Sequence, residues 1–237
     1  MRPVQFHPPS QSAVPFNDQA VPFLNALFAG KPEHLYMLLW SLREKRSQWF
    51  RSIDEALRYA QQFAAHDLYV GVGLANQSYG MSRRCPSNEV AGLVGLWTDI
   101  DLRSDAHPKE SLPGTIDEAL SILPPEMPAS FVVLTGNGAH IWWMFKESYV
   151  FESDEQRSSG AKLALRWHTL LRDNANLRGW SYERLADLAR VLRVPGTTNC
   201  KESGQPEASA HLLSNRPPLQ SFGTGGISGR SRRAGSG

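Results

Sequence analysis

Two apolar runs, Ala129 to Leu134 and Ala139 to Phe145, are separated only by Thr135-Gly136-Asn137-Gly138. An Asn-Gly step between apolar runs is a strong hairpin signal, because both residues accept the positive φ that a tight turn between twisted strands needs. The two strands must then lie side by side and antiparallel. Elsewhere, helical and strand-like segments are interspersed without the regular alternation of a doubly wound sheet. The predicted class is α+β, a mixed or antiparallel sheet covered by helices.

Local signals fix most other elements. Residues 1 to about 20 are rich in Pro, Gln and Ser and read as an irregular lead-in. His34 to Leu42 has strand composition, and Leu68 to Leu74 reads as a second strand. Ser52-Ile53-Asp54-Glu55 is a capping box, opening a helix through roughly Ala65 with Ile53, Ala56, Leu57 and Ala60 inward. Asn76 to Asn88 is a polar loop whose Ser82-Arg83-Arg84 is either solvated or a basic finger reaching toward phosphates. Thr115-Ile116-Asp117-Glu118 is a second capping box, and its short helix stops at Pro124-Pro125. A long helix is expected over Ser153 to about Asn176, carrying Leu163, Leu165, Trp167, Leu170 and Leu171. Another is expected over about Ser181 to Leu192, then a last strand over Ala208 to Leu213. The tail from Pro217 to Gly237, dense in Gly, Ser and Arg, reads as disordered. Residues 21–216 are thus left as the folded part, and no internal repeat is visible.

Composition excludes more than it selects. A formal net charge of +2 does not announce a nucleic-acid partner. Arginine outnumbers lysine in the second half, and Arg166, Arg172, Arg178, Arg184, Arg190 and Arg193 recur there. Their spacing on helices would scatter them around the surface. Cys85 and Cys200 stand far apart without a C-x-x-C partner, which argues against a structural zinc site and a disulfide framework. No apolar run reaches the length of a membrane span and no signal-peptide core is present, so the default compartment is the cytoplasm.

The chemistry gathers at three places. Ala91 to Leu96 is an apolar strand that runs into Trp97-Thr98-Asp99-Ile100-Asp101. Alternation puts Asp99 and Asp101 on one face, with Cα atoms roughly 6.5–7 Å apart. Two such carboxylates can grip the same divalent ion; a strand running out into a polar turn is the plainer reading. His140 opens the strand after the glycine turn. Alone it would be a core-edge residue, but Thr135, Gly136 and Gly138 beside it offer a hydroxyl and approachable backbone amides for a phosphate. The third place is Asp187-Leu188-Ala189-Arg190-Val191-Leu192-Arg193-Val194-Pro195-Gly196-Thr197-Thr198-Asn199-Cys200-Lys201. Asp187 and Arg190 form either a simple i,i+3 pair or a third metal carboxylate with its phosphate-facing cation. Mg²⁺ takes a few carboxylates plus waters and phosphates, and three acids with a histidine and a basic segment suit two-metal phosphoryl transfer.

The ordered set D-h-D, T-G-x-G-x-H and h-D-x-x-R resembles the archaeo-eukaryotic primase superfamily, the primase-polymerases of plasmids, phages and repair systems. The similarity spans roughly residues 35 to 213, and Leu192-Arg193-Val194-Pro195-Gly196-Thr197-Thr198-Asn199 with Lys201 resembles the third-motif region of the mobile-element branch. The resemblance implies an RNA-recognition-motif-like catalytic sheet packed with helices against an N-terminal α/β module. It implies a DNA primase or DNA polymerase, a nucleotidyltransferase that starts or extends primers in DNA replication. Asp99, Asp101 and Asp187 would be the catalytic metal ligands for Mg²⁺ or Mn²⁺. Thr135, Gly136, Gly138, His140 and Arg190 would bind the nucleotide, with Arg193, Asn199 and Lys201 as further contacts. Partners would be single-stranded DNA template, primer and nucleoside triphosphates, with a helicase farther along the chain or as a separate protein. Where many members carry Ser or Lys just before the motif strand, this chain has Gly-Ala-His. No zinc-binding element and no helicase P-loop occur in it.

Other classes fit less well. A polymerase-beta-like nucleotidyltransferase needs a Gly-Ser turn ahead of its acids, whereas Gly92 and Gly95 lie inside the strand. A relaxase-like initiator needs a His-hydrophobic-His motif, which His140-Ile141-Trp142 does not supply. The non-enzymatic alternative is a replication initiator or single-stranded-DNA-binding module stacking bases on Trp142, Trp143, Tyr36 and Trp40. Such a module has no use for three acids together. Adjacent Trp142 and Trp143 face opposite sides of a strand, so at least one is expected in the core.

Overall fold

The computed structural model describes residues 15–104 and 108–200, and the backbone of 207, 208 and 210–213. Its first element is a helix, α1 (Phe16–Phe28), which takes in the end of the stretch expected to be irregular. Ala20, Phe23, Leu24, Leu27 and Phe28 recur at i, i+3, i+4, i+7 and i+8 and are all buried, so one stripe of α1 enters the core. Pro15 and Pro22 disguise this helix in the sequence.

An N-terminal sheet follows. β1 (Met37–Ser41) and β2 (Arg46–Phe50) form an antiparallel hairpin, with Lys45 at φ 51° in the turn. α2 (Ile53–Gln62) starts as read: the Ser52 hydroxyl accepts the Glu55 amide, and Ala56 and Ala60 are buried. The apolar run from Leu68 divides between two sheets. β3 (Leu68–Gly71) pairs with β1, and β4 (Gly73–Leu74) pairs instead with the start of β5.

The second sheet carries the first two sequence motifs. β5 (Gly92–Asp101), α3 (Ile116–Leu120) and β6 (Phe131–Leu134) form a split β-α-β unit whose gap is filled by β7 (Gly138–Val150). α3 has the full capping box, with Thr115 and Glu118 each bonding the other's amide. α4 (Asp154–Asn176) is capped by Ser153. β8 (Val191–Arg193) returns to the first sheet to pair with β3. β9 (Thr198–Asn199) and β10 (Glu207–Ala208) form a short ribbon, and β11 (Ala210–Leu213) closes the second sheet beside β6. The strand orders are β2-β1-β3-β8 and β11-β6-β7-β5-β4, and all described pairings are antiparallel, as the α+β class requires.

Helices cover the second sheet on both faces. Phe131, Trp142 and Trp97 are cross-strand neighbours, and Phe23 of α1 meets Phe131 and Trp142 edge-on at 5.4 and 5.6 Å. On the opposite face Trp143 packs on Trp167 of α4 at 4.5 Å. Trp142 and Trp143 are both fully buried, so neither is a stacking platform.

One expected helix is absent. Residues 181–190 are irregular, held by hydrogen bonds to β5 and α4 and within the segment itself. The Leu185 carbonyl accepts Trp97 Nε1 at 3.0 Å, and Asp187 Oδ1 accepts the Ala189 amide at 2.9 Å. The Tyr182 hydroxyl is drawn to Thr98 Oγ1 at 2.6 Å and His168 Nδ1 at 2.8 Å. The segment instead straps the edge of β5 that no strand covers beyond Leu93.

Among the described residues no helix is long and apolar enough to cross a membrane. Lys201, the tail from Pro217 and the first fourteen residues lie outside the described residues.

Candidate active site

Asp99 and Asp101 lie on one face at the end of β5, as strand alternation requires, and the register sets Asp99 opposite His140 and Asp101 opposite Gly138. The β6–β7 turn is thereby fastened to the acidic strand end. The Thr135 amide donates to the Gly138 carbonyl at 2.9 Å, and the Leu102 amide to the Asn137 carbonyl at 2.8 Å. Both turn glycines have a backbone reason to be there. Gly136 sits at φ +92°, and a Cβ on Gly138 would stand 2.4 Å from the Ile100 carbonyl oxygen.

His140 is buried at the junction of the two sheets. The Arg193 amide on β8 donates to its Nδ1 at 2.9 Å. That nitrogen therefore presents a lone pair and the ring proton sits on Nε2, which lies 3.4 Å from Asp99 Oδ1. His140 is thus a hydrogen-bond donor aimed at the carboxylate end of the site.

Arg193 is not a solvent-facing cation. Its side chain is 3% exposed and its Nη2 lies 2.7 Å from Oδ1 of Asp67, itself 6% exposed. This contact is a charge pair off the ideal hydrogen-bond line. The same Nη2 donates to the Tyr69 hydroxyl at 3.1 Å and Asn199 Oδ1 at 3.0 Å, and Nη1 to the Thr198 carbonyl at 3.2 Å. The Cys200 amide donates to Asp67 Oδ2 at 3.1 Å. Asn199 completes the chain by donating Nδ2 to the Thr135 carbonyl at 2.6 Å. Arg193 and Asn199 therefore form a clasp from the N-terminal sheet to the glycine turn. Sequence reasoning missed Asp67, although an arginine between buried Leu192 and Val194 is itself a signal that an acid must be buried beside it.

The acid pair sits on a divide. One cleft, of about 280 Å³, is lined by Asp99, Asp101, Thr135, Asn137, His140, Arg190, Arg193 and Asn199 together with Trp40, Leu42 and Tyr69. A second, of about 380 Å³, is lined by Asp99, Asp101, Lys109, Tyr182 and Glu183 among others. Asp99 and Asp101 are the residues the two clefts share.

Asp187 does not line either cleft. Its Oδ1 accepts the Ser87 hydroxyl at 2.8 Å as well as the Ala189 amide, and its Oδ2 lies 3.4 Å from Arg190 Nε. It closes a turn and orients Arg190, which does line the cleft. Among the described residues no three His, Cys, Asp or Glu side chains converge to hold a metal. The donors present fit an ion that completes its shell with waters and phosphate oxygens on two carboxylates, as Mg²⁺ does. Among the described residues Asp187 does not line a cleft with Asp99 and Asp101.

Beneath the acids lies a buried polar relay, Thr98–Tyr182–His168. Burial, reinforced by Arg190, pushes the His168 pKa down to about 4 against the opposing pull of Asp99. Burial likewise raises the Tyr182 hydroxyl well above its ordinary value. Both groups are neutral at pH 7 and act as struts for the strap over residues 181–190.

Comparisons with known proteins place the fold. No protein-family model matches the chain, and no curated protein matches it. Among solved structures, the AEP domain of the cyanophage S-2L primase-polymerase is similar over 86% of this chain and 93% of its own, with a TM-score of 0.52 and 18% identity. The crystal structure of the primase RepB′ is similar over 84% of this chain and 58% of its own, with a TM-score of 0.47 and 12% identity. The chain thus shares its fold with the AEP domain of that primase-polymerase, the fold that the three motifs led one to expect.

Proposed function

We propose that this protein is a divalent-metal-dependent, DNA-templated nucleotidyl transferase that starts or extends primers on single-stranded DNA. The observation that carries the reading is the position of Asp99 and Asp101, shared between two separate clefts. Joining a nucleotide to a strand end requires two substrates to meet at one charged centre, and a carboxylate pair on a divide offers that meeting point. Asp99 and Asp101 would hold the ion. A bound Mg²⁺ or Mn²⁺ would supply the positive charge that steadies phosphate oxygens and activates the attacking 3′ hydroxyl.

The chain's own groups do the positioning. In the cleft with His140, the Nε2–H and the Arg190 guanidinium would contact the triphosphate, with the Thr135–Gly138 turn approaching it from the side. The second cleft, with Lys109 at its wall, would take the strand end. Asp187 is assigned to orienting Arg190, and Arg193 and Asn199 to bracing His140 and the turn.

The test is primer synthesis and primer extension on single-stranded DNA with labelled nucleoside triphosphates and Mg²⁺ or Mn²⁺. Products that disappear in an Asp99→Ala/Asp101→Ala variant of unchanged circular dichroism support the reading. Equal synthesis by that variant sinks it.

A further inference from the structure

Trp40 is one of seven tryptophans in the chain and the one that lines the cleft holding Asp99, Asp101 and His140. It occupies the half-exposed position of an otherwise buried β1, while Trp97, Trp142 and Trp143 are sealed in the core. Tyr69 is the cross-strand neighbour of Trp40 and packs on it at 5.5 Å; Arg193 lies over Tyr69 at 5.0 Å and bonds its hydroxyl. Asp67 fixes that arginine in turn.

The cleft is therefore chemically mixed. Its lining combines carboxylates, a histidine donor, Arg190 and Arg193 with an indole and Leu42. A nucleotide has the same mixture, with an anionic phosphate end and a flat aromatic base. Arg84, from the loop after β4, lays its guanidinium over the Trp40 ring, 5.8 Å from the centroid, so a base stacking on that face would take the guanidinium's place. The loop is tied down by the Ser47 amide on the Met81 carbonyl at 2.8 Å and by Trp49 Nε1 on the Gly80 carbonyl at 3.0 Å.

We infer that Trp40 is a nucleobase-stacking wall, the N-terminal sheet's contribution to substrate binding. The inference rests on the proposed nucleotidyl transfer and extends it to a residue outside the three motifs. The base comes either from a nucleoside triphosphate or from the single strand, and both present the same π-face to the indole. Stacking of this kind tolerates every base, so Trp40 supports affinity without reading sequence.

The experiment is calorimetric binding of MgATP, inorganic tripolyphosphate with Mg²⁺, and an oligothymidylate to the full chain and to its Trp40→Leu and Trp40→Phe variants. Trp40→Leu should weaken MgATP on the order of 10- to 100-fold, leave tripolyphosphate binding unchanged, and be largely rescued in Trp40→Phe. The same loss confined to the oligothymidylate would support the stacking wall and assign the base to the strand. Equal MgATP and oligothymidylate affinity in Trp40→Leu and wild type would overturn the inference while leaving the proposed function standing. If the wild-type chain binds none of the three, the proposed function fails and the inference falls with it.

Discussion

Replacing Asp67 with alanine removes the acid from a pair that is almost wholly enclosed, with side chains 3% and 6% exposed. The Arg193 guanidinium would keep Tyr69, Asn199 and the Thr198 carbonyl, yet hold an uncompensated charge out of water. Breaking such a pair from one side costs about 3–5 kcal/mol, a large share of the roughly 5–15 kcal/mol available to a folded protein. The expected result in urea unfolding followed by circular dichroism is a midpoint lowered accordingly, with the slope unchanged. An Asp67→Leu/Arg193→Met variant should regain much of that stability, because two apolar side chains leave no stranded charge. That double variant should still bind nucleotide poorly, since Asn199 would lose its Arg193 anchor while retaining the Thr135 carbonyl. An Asp67→Ala protein within about 0.5 kcal/mol of wild type, the ordinary range of surface substitutions, would refute the clasp.

Two further outcomes follow from the site's surroundings. His168 is charged near pH 6.5 in the unfolded chain but only near pH 4 in the folded one, so the unfolded state binds more protons between those values. Stability should fall by about 3 kcal/mol from this group as pH drops through that window, and His168→Gln should lose that part of the slope in urea titrations; parallel slopes would count against it. Gly138→Ala would press a methyl against the Ile100 carbonyl and push the turn off the end of β5. A cost of about 1–3 kcal/mol is expected, read as a thermal midpoint lower by roughly 2–4 °C per kcal/mol; an unchanged midpoint would mean the turn has room.

What the sequence disclosed was whatever depends on neighbours along the chain. The hairpin between β6 and β7, the Ser52 and Thr115 caps and the shared face of Asp99 and Asp101 are local and are present, although the positive φ of the turn falls on Gly136 and not on the Asn137-Gly138 step. α1 was hidden by Pro15 and Pro22, and β2 by the polar string Arg46-Ser47-Gln48. Residues 181–190 have helical spacing of Leu185, Leu188 and Leu192, but Trp97 takes the Leu185 carbonyl that a helix would pair and Thr98 holds the Tyr182 side chain, both from more than eighty positions away. The same long-range logic reassigns the third motif. Arg193, Asn199 and Asp187 carry phosphate- and metal-binding chemistry by type, yet Asp67, Thr135 and Ser87 engage them first. Motif residues Asp99, Asp101, Thr135, His140 and Arg190 line one cleft, and long-range contacts decide what the remaining ones touch.

The central claim is that Asp99 and Asp101, and not Asp187, carry the metal. Electron paramagnetic resonance of Mn²⁺ titrated with the full chain and a nucleoside triphosphate measures this directly. The account predicts bound Mn²⁺ in wild type and in Asp187→Asn, and its loss in Asp99→Asn/Asp101→Asn. Loss in Asp187→Asn equal to that in the double variant, or Mn²⁺ retained by the double variant, would contradict it.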